Sequence, residues 1–178
     1  MTWLSIQNAV RMTKFWIAHQ AFQKMEFLAN TTCPNETGGM LLGYEATSGE
    51  VVVTAIIGPG PAAKHHRFAF EPDAEYQQAK LETHYWATEG RESYLGDWHT
   101  HPYGKPILSR LDNRTLANIA NTPSSGIKHP VMAILGGSPD KWTLCTVRFL
   151  SMTRRLFFKE YLLETLIPII FEEHTIRA

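Results

Sequence analysis

Residues 98–112 read Trp98-His99-Thr100-His101-Pro102-Tyr103-Gly104-Lys105-Pro106-Ile107-Leu108-Ser109-Arg110-Leu111-Asp112. Two histidines at i and i+2 on an extended segment project to one face, so both imidazoles reach a single ion. Ser109 and Asp112 stand three apart, and on a helix they share a face. A loop from Pro102 to Leu108 that folds the helix start back onto the strand end brings Asp112 in as a third ligand. Two nitrogens and one carboxylate oxygen suit Zn2+. Three protein ligands leave a fourth position for water, the arrangement of a catalytic zinc rather than a structural one. With eight His, eight Ser and four Asp in 178 residues, composition alone produces this His-x-His, seven residues, Ser, two residues, Asp spacing in about 3 in 10,000 chains. Ser109 also reads as a helix N-cap with an acidic residue at N3, and the two roles are compatible.

Upstream, Asn35-Glu36-Thr37-Gly38-Gly39-Met40 places a carboxylate before a glycine pair at the start of a strand. Glu36 beside a zinc-activated water accepts its proton and later delivers it to a leaving amine. Ser109 then donates to the carbonyl oxygen as charge develops there. Gly38 and Gly39 leave room for a substrate backbone docking beside the strand. Asp97 shares the face of His99 and is a candidate acceptor for its second ring nitrogen. Tyr103, Lys105 and the 58–66 loop are candidates to line the groove. His65-His66 reads as a surface loop pair, because adjacent residues face opposite ways.

Around this centre the chain alternates helical and strand patterns. Apolar spacing predicts a helix over Thr13–Leu28, and aliphatic runs predict strands over Gly38–Gly43 and Val51–Ile57 joined by a turn at Ser48-Gly49. A short strand is expected at Arg67–Phe70, and a helix over Pro72–Glu89 capped by Asp73. Tyr94–Thr100 reads as a strand and Ser109–Asn121 as a helix. Strands follow at Val131–Leu135 and Trp142–Leu150. Arg154–Glu173 reads as an amphipathic helix bent near Pro168, with Phe157, Phe158, Tyr161 and Phe171 on its apolar face. The expected architecture is α/β, a mixed central sheet flanked by helices in one domain spanning 1–178, with an N-terminal helix and a C-terminal helical extension.

Composition bounds the rest. Lys+Arg and Asp+Glu are both 17, giving a net charge of +0 and a pI near 7.1. With no basic excess, no nucleic-acid partner is expected. Hydrophobic residues at 44% and charged residues at 19% describe a globular chain. Cys33 and Cys145 are too few for a disulfide framework and read as buried small hydrophobes, which fits a cytoplasmic setting. Residues 1–29 show no apolar run with a small-residue cleavage site, and Tyr161–Phe171 is too short to span a bilayer, so neither secretion nor a membrane is expected.

Glu36 followed by His99, Thr100, His101, Ser109 and Asp112 resembles the JAMM motif of JAB/MPN-domain metallopeptidases, at every position. The resemblance runs from about Ala18 to Leu150. It implies a cytidine-deaminase-like fold and a zinc isopeptidase that removes ubiquitin or ubiquitin-like proteins. It also implies His99, His101 and Asp112 as ligands, with Glu36 and Ser109 as catalytic groups. The Trp-His-Thr-His-Pro wording and Phe70–Asp73 are most similar to a bacterial subgroup found in mobile elements and antiphage CBASS operons. There the peptidase is associated with a fused E1–E2 enzyme that conjugates the C-terminus of a nucleotidyltransferase. That implies the tail of a ubiquitin-like protein or of a nucleotidyltransferase conjugate as partner. The residues also leave open a sulfur-carrier precursor or cell-wall peptide as substrate, and a non-catalytic scaffold.

Overall fold

The computed structural model describes residues 12–156 and 159–172. The first half of the chain holds β1 (Lys14–Ala18), α1 (His19–Thr32), β2 (Gly38–Glu45), β3 (Val51–Ile57), β4 (Lys64–His66), β5 (Ala69–Glu71) and α2 (Ala74–Ala87). The second half holds β6 (Ser93–Pro102), α3 (Arg110–Asn121), β7 (Val131–Ser138), β8 (Lys141–Arg154) and β9 (Lys159–Phe171). Seven strands form one mixed sheet in the order β1-β3-β2-β6-β7-β8-β9, which closes into a barrel through parallel pairing of β1 with β9. β4 and β5 make a separate two-stranded sheet. Helices on a mixed central sheet are thus the architecture found, as the alternation of patterns implies.

The uninterrupted apolar run of β7 explains its central place. Val131, Ala133 and Leu135 join Phe15, Met25, Leu41 and Trp98 in the larger core, beside α1. Met132 and Ile134 face the other way, against Leu116 and Ala117 of α3. A strand covered on both faces needs no polar alternation. β6 runs parallel to β7 with α3 as the crossover between them, and β2 runs antiparallel to β6 on its other side. The C-terminal end of β6 therefore lies beside the start of β2 and the start of α3.

The two ends of the barrel depart from expectation. Thr13–Leu28 is not one helix: Lys14–Ala18 is strand, and the helix starts at His19. Phe15 and Ile17 are fully buried while Lys14 and Trp16 are not, a period-two pattern hidden by the helical spacing that follows it. The C-terminal segment differs more, for Lys159–Phe171 is the strand β9 rather than part of a helix. Thr165, Ile167, Ile169 and Ile170 are β-branched, and they surround a proline that a helix interior does not tolerate. Pro168 fits because the β8 pairing ends at Leu166, and the Ile167 N–H donates to Thr13 of the β1 side. The next N–H position faces away from β1, where there is no strand to receive it. Phe157 and Phe158 lie outside the described residues. Arg67–Phe70 is likewise not one strand, since Arg67 and Phe68 form the turn between β4 and β5.

The glycine pair serves the sheet itself. A Cβ on Gly38 would meet the Trp98 carbonyl oxygen at 2.3 Å, and one on Gly39 the Ile57 carbonyl oxygen at 1.9 Å. The close approach seen here is that of neighbouring strands. Cys33 and Cys145 are free and half-buried rather than buried. Among the described residues, no helix is long and apolar enough to cross a membrane.

Candidate metal centre

His99 and His101 lie near the C-terminal end of β6 on one face, while Trp98 and Thr100 between and beside them are buried on the other. The loop after Pro102 turns back over β7. Tyr103 donates its N–H to the Gly137 carbonyl, and a Cβ on Gly136 would stand 2.3 Å from the Pro106 nitrogen. Only glycine there lets the loop pass so close. The loop delivers Ser109 as the N-cap of α3, where its Oγ accepts from the Asp112 N–H at 3.2 Å. Asp112 Oδ2 accepts in return from the Ser109 N–H at 2.6 Å. This reciprocal pair orients the Asp112 carboxylate toward the histidines.

The three side chains converge. His99 Nε2 and His101 Nε2 are 3.0 Å apart, Asp112 Oδ1 is 3.4 Å from His99 Nε2, and Asp112 Oδ2 is 3.7 Å from His101 Nε2. Ligand atoms about 2.0–2.2 Å from a single ion have separations of this size, so the donor set fits a tetrahedral zinc with one position left open. Among the described residues this is the one such group. His101 Nδ1 donates to the Lys105 carbonyl at 3.2 Å, which leaves the Nε2 lone pair for a metal. Burial and the field of His99 lower the His101 pKa, against opposing effects of Lys105 and Asp112, and so favour the neutral ligating form. Burial works against the Asp112 charge, yet hydrogen bonds from His99 and Ser109 and the His99 field outweigh it and bring its pKa down to about 2.

Glu36 reaches the same place from the other side. It lines a cavity of about 330 Å³ together with His99 and Asp112, walled by Phe70, Leu111 and Met132. Burial pushes its carboxyl above the ordinary range, with His99 opposing and Asp112 adding to the shift. The adjoining Thr37 is stapled to β6: its N–H donates to Thr100 Oγ1 at 3.0 Å, and the Thr100 N–H donates to the Thr37 carbonyl at 2.8 Å. Both threonines are fully buried. All five residues singled out from spacing and context are therefore neighbours in space.

Asp97 differs from expectation. Its Oδ1 accepts from the Tyr94 hydroxyl at 2.7 Å, and among the described residues it has no hydrogen bond to His99. Three contacts are not legible in the sequence: the Thr37–Thr100 staple, the bond from His101 to the Lys105 carbonyl, and the bond from His65 to the Glu36 backbone. Backbone carbonyls carry no residue signature, and His65 lies 29 positions from its partner.

Comparison with known proteins agrees with the geometry. The family described as prokaryotic homologs of the JAB domain matches residues 19–148. A Sinorhizobium fredii protein named as a probable metalloprotease is 35% identical over 130 residues, which cover 71% of this chain and 78% of that protein. An Enterobacter hormaechei protein named as a CD-NTase/cGAS isopeptidase is 36% identical over 107 residues, 59% of this chain. The match spans only 57% of that relative's own length. A solution structure of a Desulfitobacterium hafniense protein shares the fold, with a TM-score of 0.62 at 17% identity over 92% of this chain and 97% of its own.

Proposed function

This chain belongs to the prokaryotic JAB-domain family of metalloproteases and isopeptidases, and we propose that it is a zinc-dependent isopeptidase. It cleaves after the C-terminal residue of a protein tail that has been joined to a lysine or to further residues. The observation that carries this reading is the convergence of His99, His101 and Asp112, with the Glu36 carboxylate on the wall of the same cavity. A donor set of two imidazoles and one carboxylate, with a carboxylate base beside it, is what metal-assisted amide hydrolysis requires.

His99, His101 and Asp112 hold the metal. When bound, zinc lowers the pKa of a water to roughly 7 and polarises a carbonyl. Glu36 takes the proton of the attacking water onto its carboxylate and hands it to the departing nitrogen, so the amine leaves neutral. Its place on the wall of the cavity that His99 and Asp112 also line suits this role. The Ser109 hydroxyl already accepts from the Asp112 N–H, and it keeps its own proton for the carbonyl oxygen as negative charge builds.

The substrate is the tail of a nucleotidyltransferase of the CBASS kind, or of a ubiquitin-like protein, attached by an E1–E2 enzyme. The protein reverses that conjugation in the cytoplasm, in bacterial antiphage defence. The isopeptidase relatives support this choice by their names. The test incubates zinc-loaded protein with reporter fusions of nucleotidyltransferase tails, ubiquitin-like tails and sulfur-carrier precursors, with intact-mass detection. Scission is expected directly after the last residue of a tail from the first two classes, and a chelator should abolish it. Scission that survives metal removal, or that is confined to the sulfur-carrier precursors, would overturn it.

A further inference from the structure

We propose that His65 is a positioning residue for the Glu36 carboxylate, acting through the β4–β5 hairpin. The inference rests on the reading of Glu36 as the group that moves the proton. Glu36 precedes β2 and lies outside the barrel strands, so the ladder of the sheet does not hold its backbone. The hairpin does. The Glu36 N–H donates to the His66 carbonyl at 2.8 Å, and the Glu36 carbonyl accepts from His65 Nδ1 at 2.9 Å. Since the acceptor is a carbonyl, Nδ1 carries the proton.

The ring that makes this bond is itself held. His65 pairs with Phe70 across the hairpin and stacks on it, with centroids 5.5 Å apart and planes 24° apart. Phe70 in turn walls the cavity that Glu36 and His99 share. Together with the Thr37–Thr100 staple, the contacts clamp Glu36 between β6, which carries the ligand histidines, and β4. A displacement of about 1 Å in a reacting group lowers turnover by on the order of 100-fold. A side-chain bond to the backbone of the base therefore acts on the chemical step rather than on substrate binding.

The test compares wild type with His65→Phe and His65→Asn. Phenylalanine keeps a ring on Phe70 and loses the donor, whereas the asparagine amide nitrogen stands where Nδ1 stands. On a fusion that the wild type cleaves, His65→Phe is expected to lose about tenfold in kcat with KM nearly unchanged. His65→Asn should recover most of that loss. Unchanged kcat in His65→Phe, a change confined to KM, or equal losses in both variants would overturn the proposal. Hydrogen exchange at the Glu36 amide needs no turnover and separates this idea from the peptidase reading. It should quicken in His65→Phe and stay near wild type in His65→Asn, and unchanged exchange in His65→Phe overturns the positioning role even if no substrate is found.

Discussion

Asp112 has two oxygens with different surroundings. Oδ2 accepts the Ser109 N–H that starts α3, and Oδ1 is directed at His99. The residue is thus both the N3 partner of the Ser109 cap and a candidate ligand, and two substitutions separate the roles. Asp112→Asn keeps an acceptor for the cap and loses the charge, while Asp112→Ala loses both. Denaturation of the metal-free variants should place alanine about 1 kcal/mol below asparagine in stability. Zinc titration should show both variants weakened by more than about tenfold. Wild-type zinc affinity in Asp112→Asn would remove it from the ligand set. At this scale the sequence was informative because ligand spacing is a local property: His99, His101, Ser109 and Asp112 lie within fourteen consecutive positions. His65 was illegible, since nothing in an adjacent histidine pair indicates the loop it will meet.

The start of α3 shows the same double use in an element. Ser109 caps the helix, and in the proposed reaction its hydroxyl also donates to the carbonyl oxygen. Glycine is nearly as good an N-cap as serine but has no hydroxyl. Ser109→Gly should therefore change unfolding free energy by only a few tenths of a kcal/mol. Turnover of a cleavable tail fusion should fall by about 100-fold or more, as when an oxyanion donor is removed. A loss of stability that accounts for the loss of activity would reduce Ser109 to a cap. Elements were readable where their period was undisturbed, as in β2, β3 and the doubly covered β7. β1 was obscured because Phe15 and Ile17 run straight into the helical spacing of α1. β9 was obscured because Tyr161–Phe171 is apolar at both periods, and only its β-branched residues around Pro168 decide between them.

Across the whole molecule, β9 turns an open sheet into a barrel, a closure that no local pattern announces because β1 and β9 lie at opposite ends of the chain. Leu166 is 2% exposed in the larger core, and its carbonyl accepts from Thr146 Oγ1 at 3.0 Å. Arg148, also buried, reaches Glu164 of β9 at 3.5 Å and Glu45 of β2 at 3.1 Å. Leu166→Ala should cost about 2–5 kcal/mol in chemical denaturation. A cost near zero would contradict the burial of Leu166 in the core. The sheet matters for function because its order sets β6 between β2 and β7, with α3 as the crossover, and so brings Glu36, His99 and Asp112 to one cavity with His101 beside them. The claim that they work there as one metal-dependent hydrolase is tested most directly by measuring zinc content and tail cleavage on the same preparations of wild type and Glu36→Gln. One zinc per chain in both and cleavage by the wild type alone are expected; a Glu36→Gln protein that holds zinc and still cleaves at the wild-type rate would refute the shared role of these residues.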